Sequence, residues 1–112
     1  MRKAPNARKI QAVLVFAALG DELRLRLLER LAADGRISIM RLTAGTHVTR
    51  QAITKHLHVL ANAGLVRCSR RGREKLWELT GEPLREARRQ LEVIANQWDR
   101  ALLRLKAHVE ED

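Results

Sequence analysis

The chain is 112 residues long, 46% hydrophobic, and carries 22 Lys plus Arg against 13 Asp plus Glu, a formal charge of +9. That length suits one domain, residues 1–112, and that apolar fraction excludes wholesale disorder. The basic excess predicts an anionic partner, nucleic acid ahead of an acidic membrane surface. It is also segregated: residues 1–45 hold nine basic and four acidic residues and 46–80 seven and two, whereas 81–112 hold six and seven. Cys68 is the single cysteine, so no intrachain disulfide can form, as suits the reducing cytoplasm.

Residues 6–19 are predicted as a first helix. Ile10, Val13, Leu14, Ala17 and Ala18 recur at the spacing of a buried helical face, and Val15 and Phe16 make the segment apolar nearly all round. Such a helix needs cover on every side, and a second subunit is the expected cover, with Val13 and Leu14 at the contact. The apolar run 12–20 follows Arg2, Lys3, Arg8 and Lys9 as a minimal signal peptide would, but charged residues come next without a convincing cleavage site. The run is far too short to span a membrane, so no membrane partner is expected.

Asp21 is placed to cap a second helix, with Leu25, Leu28, Leu31 and Ala32 facing inward and Gly35 ending it. Ser38 is placed to cap a short helix through Ala44, "GTHV" forms a turn, and Thr49 caps a fourth helix that stops at Gly64. The period then changes. Over 65–79, Val66 and Cys68 alternate with Arg67 and Ser69, and Leu76 and Glu78 with Trp77 and Leu79, around a "RRGRE" turn: a hairpin. Cys68 reads as a small buried side chain, and Trp77 and Trp98 as core by default, with a ligand pocket as the alternative for Trp98. Pro83 sits in the first turn of a last helix, 83–109, about 40 Å long. Leu84, Ala87, Leu91, Ile94, Trp98, Leu102, Leu105 and Val109 form one straight apolar stripe along it. A domain this small cannot cover that stripe alone, so pairing with another chain is expected through Leu91, Ile94, Trp98, Leu102 and Leu105.

The fourth helix carries the chemistry. Ile53, Leu57 and Leu60 share one face; Arg50, Gln51, Thr54, Lys55 and His58 occupy the other, with no acid among them. Arg50 is suited to guanine O6 and N7, Gln51 to adenine N6 and N7, and Thr54 and Lys55 to bases or phosphates one turn on. Thr49 is placed both to cap the helix and to touch a phosphate. At the hairpin tip Arg70, Arg71, Arg73 and Lys75 surround Gly72, with Glu74 the one acid. That tip suits phosphate or minor-groove contact.

The stretches "FAALGDELRLRLLERL", "VTRQAITKHLHVLANAGLV" and "RRGREKLWEL" resemble the second helix, recognition helix and wing of the ArsR-type bacterial transcriptional repressors, over about residues 10–80. The last helix looks like that of the metal-independent subgroup found beside START-like (SRPBCC) proteins. The resemblance implies a mainly α winged helix-turn-helix, α-α-α-α-β-β-α, with the helix-turn-helix at 38–63, the wing at 65–79, and dimerisation through helices 6–19 and 83–109. It implies a homodimer on a pseudo-palindromic double-stranded DNA operator, repressing its own or a neighbouring operon. His56 looks like the family's helix histidine, suited to a DNA-backbone contact or a structural hydrogen bond. The chain departs from the family where a turn glycine is usual, six residues before Ile53: it has His47, and the nearest glycine is Gly45. Histidine tolerates φ > 0 better than most residues.

No metal or other cofactor is expected. The short helix "ISIMRL" lacks the family's cysteine pair, and on the last helix Asp99 is followed at i+2 by Ala101, leaving His108 and Glu111 as two ligands. His56 and His58 lie two apart on a helix and cannot face one ion together. No catalytic residue arrangement stands out, so an enzyme is not expected. Nothing in the residues identifies a small-molecule effector. The alternative function is a protein-interaction module on the same scaffold, with the long helix as its working surface and only non-specific DNA affinity.

Overall fold

The computed structural model describes residues 7–111. Arg2, Lys3 and Asn6 lie outside them. The elements are α1 (Ala7–Leu19), α2 (Glu22–Asp34), β1 (Ile37–Ser38), α3 (Ile39–Thr43), α4 (Arg50–Asn62), β2 (Val66–Arg71), β3 (Glu74–Leu79) and α5 (Glu82–Glu110). This is the mainly helical winged helix-turn-helix that the sequence predicts, with one addition. β1 pairs with β3, Ile37 opposite Trp77 and Ser38 opposite Leu76, so the hairpin becomes a three-stranded antiparallel sheet in the order β1-β3-β2. Two residues are too few to show a period of two, which is why the sequence gives no sign of this strand.

The three predicted caps form. Asp21 accepts from the Arg24 N–H at 3.0 Å, Ser38 from Arg41 at 3.3 Å and Thr49 from Ala52 at 3.1 Å. Each oxygen satisfies one of the donors that a helix start leaves unpaired. The turn before α4 is set by Gly45, at φ +77°; no non-glycine residue among those described has positive φ, so His47 carries no backbone strain.

The core gathers Ile53, Leu57 and Leu60 of α4 against Leu27, Leu28 and Leu31 of α2, Leu42 of α3, and Ile37, Val66 and Trp77 of the sheet. Packing within the single chain departs from four expectations of burial. On α2 the inward residues are Leu27, Leu28 and Leu31, while Leu25 and Ala32 are exposed. The run "LRLRLLERL" offers apolar residues to more than one face, and contact with α4 selects between them. On α1 the core takes Ala12, Val15 and Ala18, small side chains that let the helix sit close, and Ile10, Val13, Leu14 and Ala17 face outward. Cys68 is exposed, because β2 is an edge strand on which only Val66 is buried. Trp77 is core as expected, but Trp98 is 65% exposed, because α5 outruns the body it packs on.

α5 has 29 residues, about 43 Å of helix, and of these only Ala87 is buried. It packs against α1 of the same chain. The Cα radius of gyration is 19.0 Å, against about 13 Å for a compact chain of this length. The accessible surface is 8958 Å², where a compact monomer of this mass exposes about 6,300 Å².

α4 is tied to α1 and to the start of α5 at one junction. Gly64, at φ +80°, ends α4 with bonds from its own N–H to the Ala61 carbonyl and from Leu65 N–H to the Leu60 carbonyl, both 2.9 Å. The Gln11 amide donates to the Ala63 carbonyl, and the Thr80 hydroxyl to that of Gly64. A Cβ on Gly64 would stand 2.9 Å from Cγ of Pro83 and 3.1 Å from Nε2 of Gln11.

Glu78 on β3 joins the sheet laterally, accepting from Arg67 Nε at 2.7 Å and from Arg36 Nε at 3.1 Å. Those two guanidiniums, Arg67 first, hold its carboxyl below the ordinary 4.5. A depressed carboxylate stabilises the fold above its unfolded pKa and loses that contribution as pH falls through the folded value. Stability of the native chain is therefore expected to decline on acidification below about 4.5, more steeply than that of Glu78→Gln; parallel denaturant midpoints for the two across that window exclude the coupling. Gly64→Ala is expected to lower stability by roughly 1–2 kcal/mol from backbone conformation alone, more with the Pro83 contact, read as a shift of the urea midpoint.

Candidate nucleic-acid interface

Burial of Ile53, Leu57 and Leu60 turns the opposite side of α4 outward. Thr49, Arg50, Gln51, Lys55 and His58 are exposed there and Thr54 is half-buried. The Thr54 hydroxyl donates to the Arg50 carbonyl at 2.9 Å, so what it offers outward is acceptor capacity and a methyl group. Arg50, Thr54 and His58, one turn apart in succession, line one wall of a groove of about 560 Å³ between α4 and the wing. Arg70, Arg73 and Lys75 of the wing line the other wall. Gln51, Lys55 and Arg71 are exposed but stand outside this groove.

His56 does not join them. It lies half-buried on the side of α4 that faces α2, Nδ1 3.3 Å from Arg24 Nη1 and 3.8 Å from Asp21 Oδ2. Arg24 also donates through Nε to the Ala18 carbonyl at 2.7 Å, tying the end of α1 into the same cluster. The Arg24 backbone N–H, reinforced by its guanidinium, holds the Asp21 carboxyl below its usual range. Of the two roles the sequence left open for His56, this placement suits the structural hydrogen bond.

The wing is a two-residue hairpin, Gly72 and Arg73 between paired strands, with Arg70 directly opposite Lys75 and Arg71 opposite Glu74. Like charges across a strand pair destabilise it unless an anion lies between them. Among the described residues no ion pair engages Arg50, Lys55, Arg70, Arg71, Arg73 or Lys75. Elsewhere, Arg26, Arg30, Arg36, Arg67, Arg85, Arg88 and Arg89 each hold a carboxylate within 3.5 Å. These six cations sit on two neighbouring elements, and Arg50, Arg70, Arg73 and Lys75 among them line one groove, an arrangement suited to a polyanion.

Sequence reasoning missed the third contributor. Ser38, Ile39 and Met40 bring the start of α3 into the lining of the groove. The outward phase of Met40 on the short capped helix was readable; its meeting with the wing was not, because β1 is what brings α3 to the sheet. The residues expected at a dimer contact, Val13, Leu14, Leu91, Ile94, Trp98, Leu102 and Leu105, are all exposed. They form an outward face on α1 and the stripe on α5. No group of three His, Cys, Asp or Glu side chains among the described residues is placed to hold a metal, and no described helix is long and apolar enough to cross a membrane.

No family model matches the chain. It is 38% identical over 77 residues to the uncharacterized HTH-type transcriptional regulator YuzN of Bacillus subtilis, covering 63% of this chain and 84% of that one. An ArsR-like transcriptional regulator from Rhodococcus sp. RHA1 superposes with a TM-score of 0.76 at 38% identity, over 90% of this chain and 94% of the other. A second solved structure, the ArsR family transcriptional regulator RHA00566, gives 0.73 at 25% identity, over 88% and 97%. Helix order, three-stranded wing, cationic groove and these likenesses agree: the chain belongs to the ArsR family of DNA-binding helix-turn-helix transcriptional regulators.

Proposed function

We propose that the protein is a homodimeric repressor of its own or a neighbouring operon, acting in the cytoplasm on a pseudo-palindromic operator. The observation that carries this reading is the set of six unpaired cations on α4 and the wing. Each subunit sets Thr49, Arg50, Gln51, Thr54 and Lys55 in a major groove, with Arg50 and Gln51 reading bases. Arg70, Arg71, Arg73 and Lys75 hold the flanking phosphates or the minor groove, and His58 stands at the edge of the same surface. His56 serves by fixing α4 on α2. Repression follows from occupying a site that overlaps the promoter.

The dimer is supported by two exposed apolar faces. On α1, Ile10, Val13, Leu14 and Ala17 lie opposite the core residues Ala12, Val15 and Ala18, so the helix is apolar on both sides. The α5 stripe runs beside it. Two copies joined across these faces place two α4 helices about a two-fold axis, which matches half-sites one helical turn, or a multiple, apart. The metal-independent assignment rests on α3, which has no cysteine, and on Ala101.

Titration of upstream DNA at several salt concentrations tests the whole reading. A steep salt slope with resistance to competitor DNA is expected. Binding indifferent to salt and sequence would favour the protein-interaction alternative, with the α5 stripe as the working surface. Arg50→Ala is expected to cost about 1–3 kcal/mol on the operator and to relax preference at one base pair, whereas Arg73→Ala weakens all duplexes about equally. Unchanged operator affinity in both Arg50→Ala and Gln51→Ala would reject the assignment of the α4 face. Trp98→Asp is expected to give a monomer by light scattering; a variant that stays dimeric refutes the α5 interface.

A further inference from the structure

The groove between α4 and the wing is lined by apolar as well as cationic side chains. Ile39, Met40 and Trp77 supply the apolar part, beside the Cys68 thiol, while Glu74 is an acid on the rim. Ile39 and Trp77 are held by the core, at 8% and 5% exposure; Met40 is 71% exposed, the most exposed large apolar side chain among the described residues. That exposure is imposed by the helix and not by fraying. α3 is pinned by the Ser38 cap, by the Thr43 hydroxyl on the Ile39 carbonyl at 2.7 Å, and by burial of Ile39 and Leu42 on either side of Met40. An exposed thioether amid unpaired guanidiniums adds nothing to the fold. The occupant that fits is polyanionic along its edges and apolar between them, as a sugar–phosphate strand is.

We infer that Met40 is a DNA-contact residue. One strand of the duplex lies in the groove, its phosphates on Arg70, Arg73 and Lys75, and a deoxyribose face rests on the Met40 thioether. This rests on the DNA-binding reading above and adds to it a residue outside the recognition helix and wing. α3 is the first helix of the helix-turn-helix, the one that crosses the backbone. A contact to sugar positions the protein and carries no base information.

The test replaces Met40 by Lys and by Glu, with Ala33→Lys on an exposed turn of α2 as the control for added charge. Each variant is titrated onto the bound duplex and an unrelated one at several salt concentrations. Met40→Lys is expected to steepen the slope of log affinity against log salt by about 0.9, one extra phosphate contact, and to tighten both duplexes alike. Met40→Glu is expected to weaken both by about tenfold, and Ala33→Lys to keep the wild-type slope. Cys68, the single thiol, is expected to react with a maleimide several-fold more slowly in the complex, since the strand covers the groove it lines. A wild-type slope for Met40→Lys, a change confined to one base pair, or a Cys68 that reacts equally fast free and bound overturns the inference while DNA binding stands. Wild-type protein that binds neither duplex overturns the DNA-binding reading itself.

Discussion

Three side chains of α4, Ile53, Leu57 and Leu60, have no exposed surface, and their burial fixes what the helix presents to solvent. A helix docked on a core has one free rotation about its axis. Each of these side chains stabilises the docked phase by roughly 1.5–3 kcal/mol, so turning the donor face inward would forfeit roughly 5–9 kcal/mol. That is comparable to the whole stability of a typical domain, about 5–15 kcal/mol. Arg50, Gln51, Lys55 and His58 therefore face outward as a consequence of core packing, and His56 falls where α2 can hold it.

The distribution of charge follows a different rule. Arg26 and Arg30 on α2 and Arg85, Arg88 and Arg89 on α5 pair with carboxylates three or four residues away. Such exposed pairs contribute little stability, but they cancel the local field. On α4 and the wing tip the chain supplies almost no acid, and the register sets Arg70 against Lys75. The folded protein keeps a cluster of like charges that an external polyanion would relieve. Four of these unpaired cations, Arg50, Arg70, Arg73 and Lys75, line the groove.

How much was legible in the sequence depended on the range of the interaction concerned. The caps at Asp21, Ser38 and Thr49 were legible because each involves an oxygen and an N–H three residues apart. The inward face of α4 was legible because its apolar positions fall on one side only. α1 and α2 were ambiguous in phase because both carry apolar residues on more than one side, and tertiary contact made the choice. Cys68 was misplaced because alternation does not distinguish an edge strand from a central one. β1 and the α3 side of the groove were invisible: two residues carry no period, and the approach of Met40 to the wing depends on a pairing between positions about forty apart. The deviation at His47 proved harmless because Gly45, two residues earlier, takes the left-handed conformation.

The junction at Gly64 connects the two kinds of surface. The end of α4 is held by Gln11 of α1, by Thr80 just before α5 and by the close approach of Pro83. At the other side, Arg24 ties the last carbonyls of α1 to His56 in the middle of α4. The recognition helix is thus fastened to the elements that carry the exposed apolar faces, at two points along its length. In the proposed dimer the separation and tilt of the two α4 helices are then inherited from the packing of α1 and α5 across the two-fold axis. A duplex of fixed helical repeat accepts one separation well and others poorly. Any agent that alters how the paired helices cross would be transmitted to the DNA surface through these few contacts, without touching a base-reading side chain.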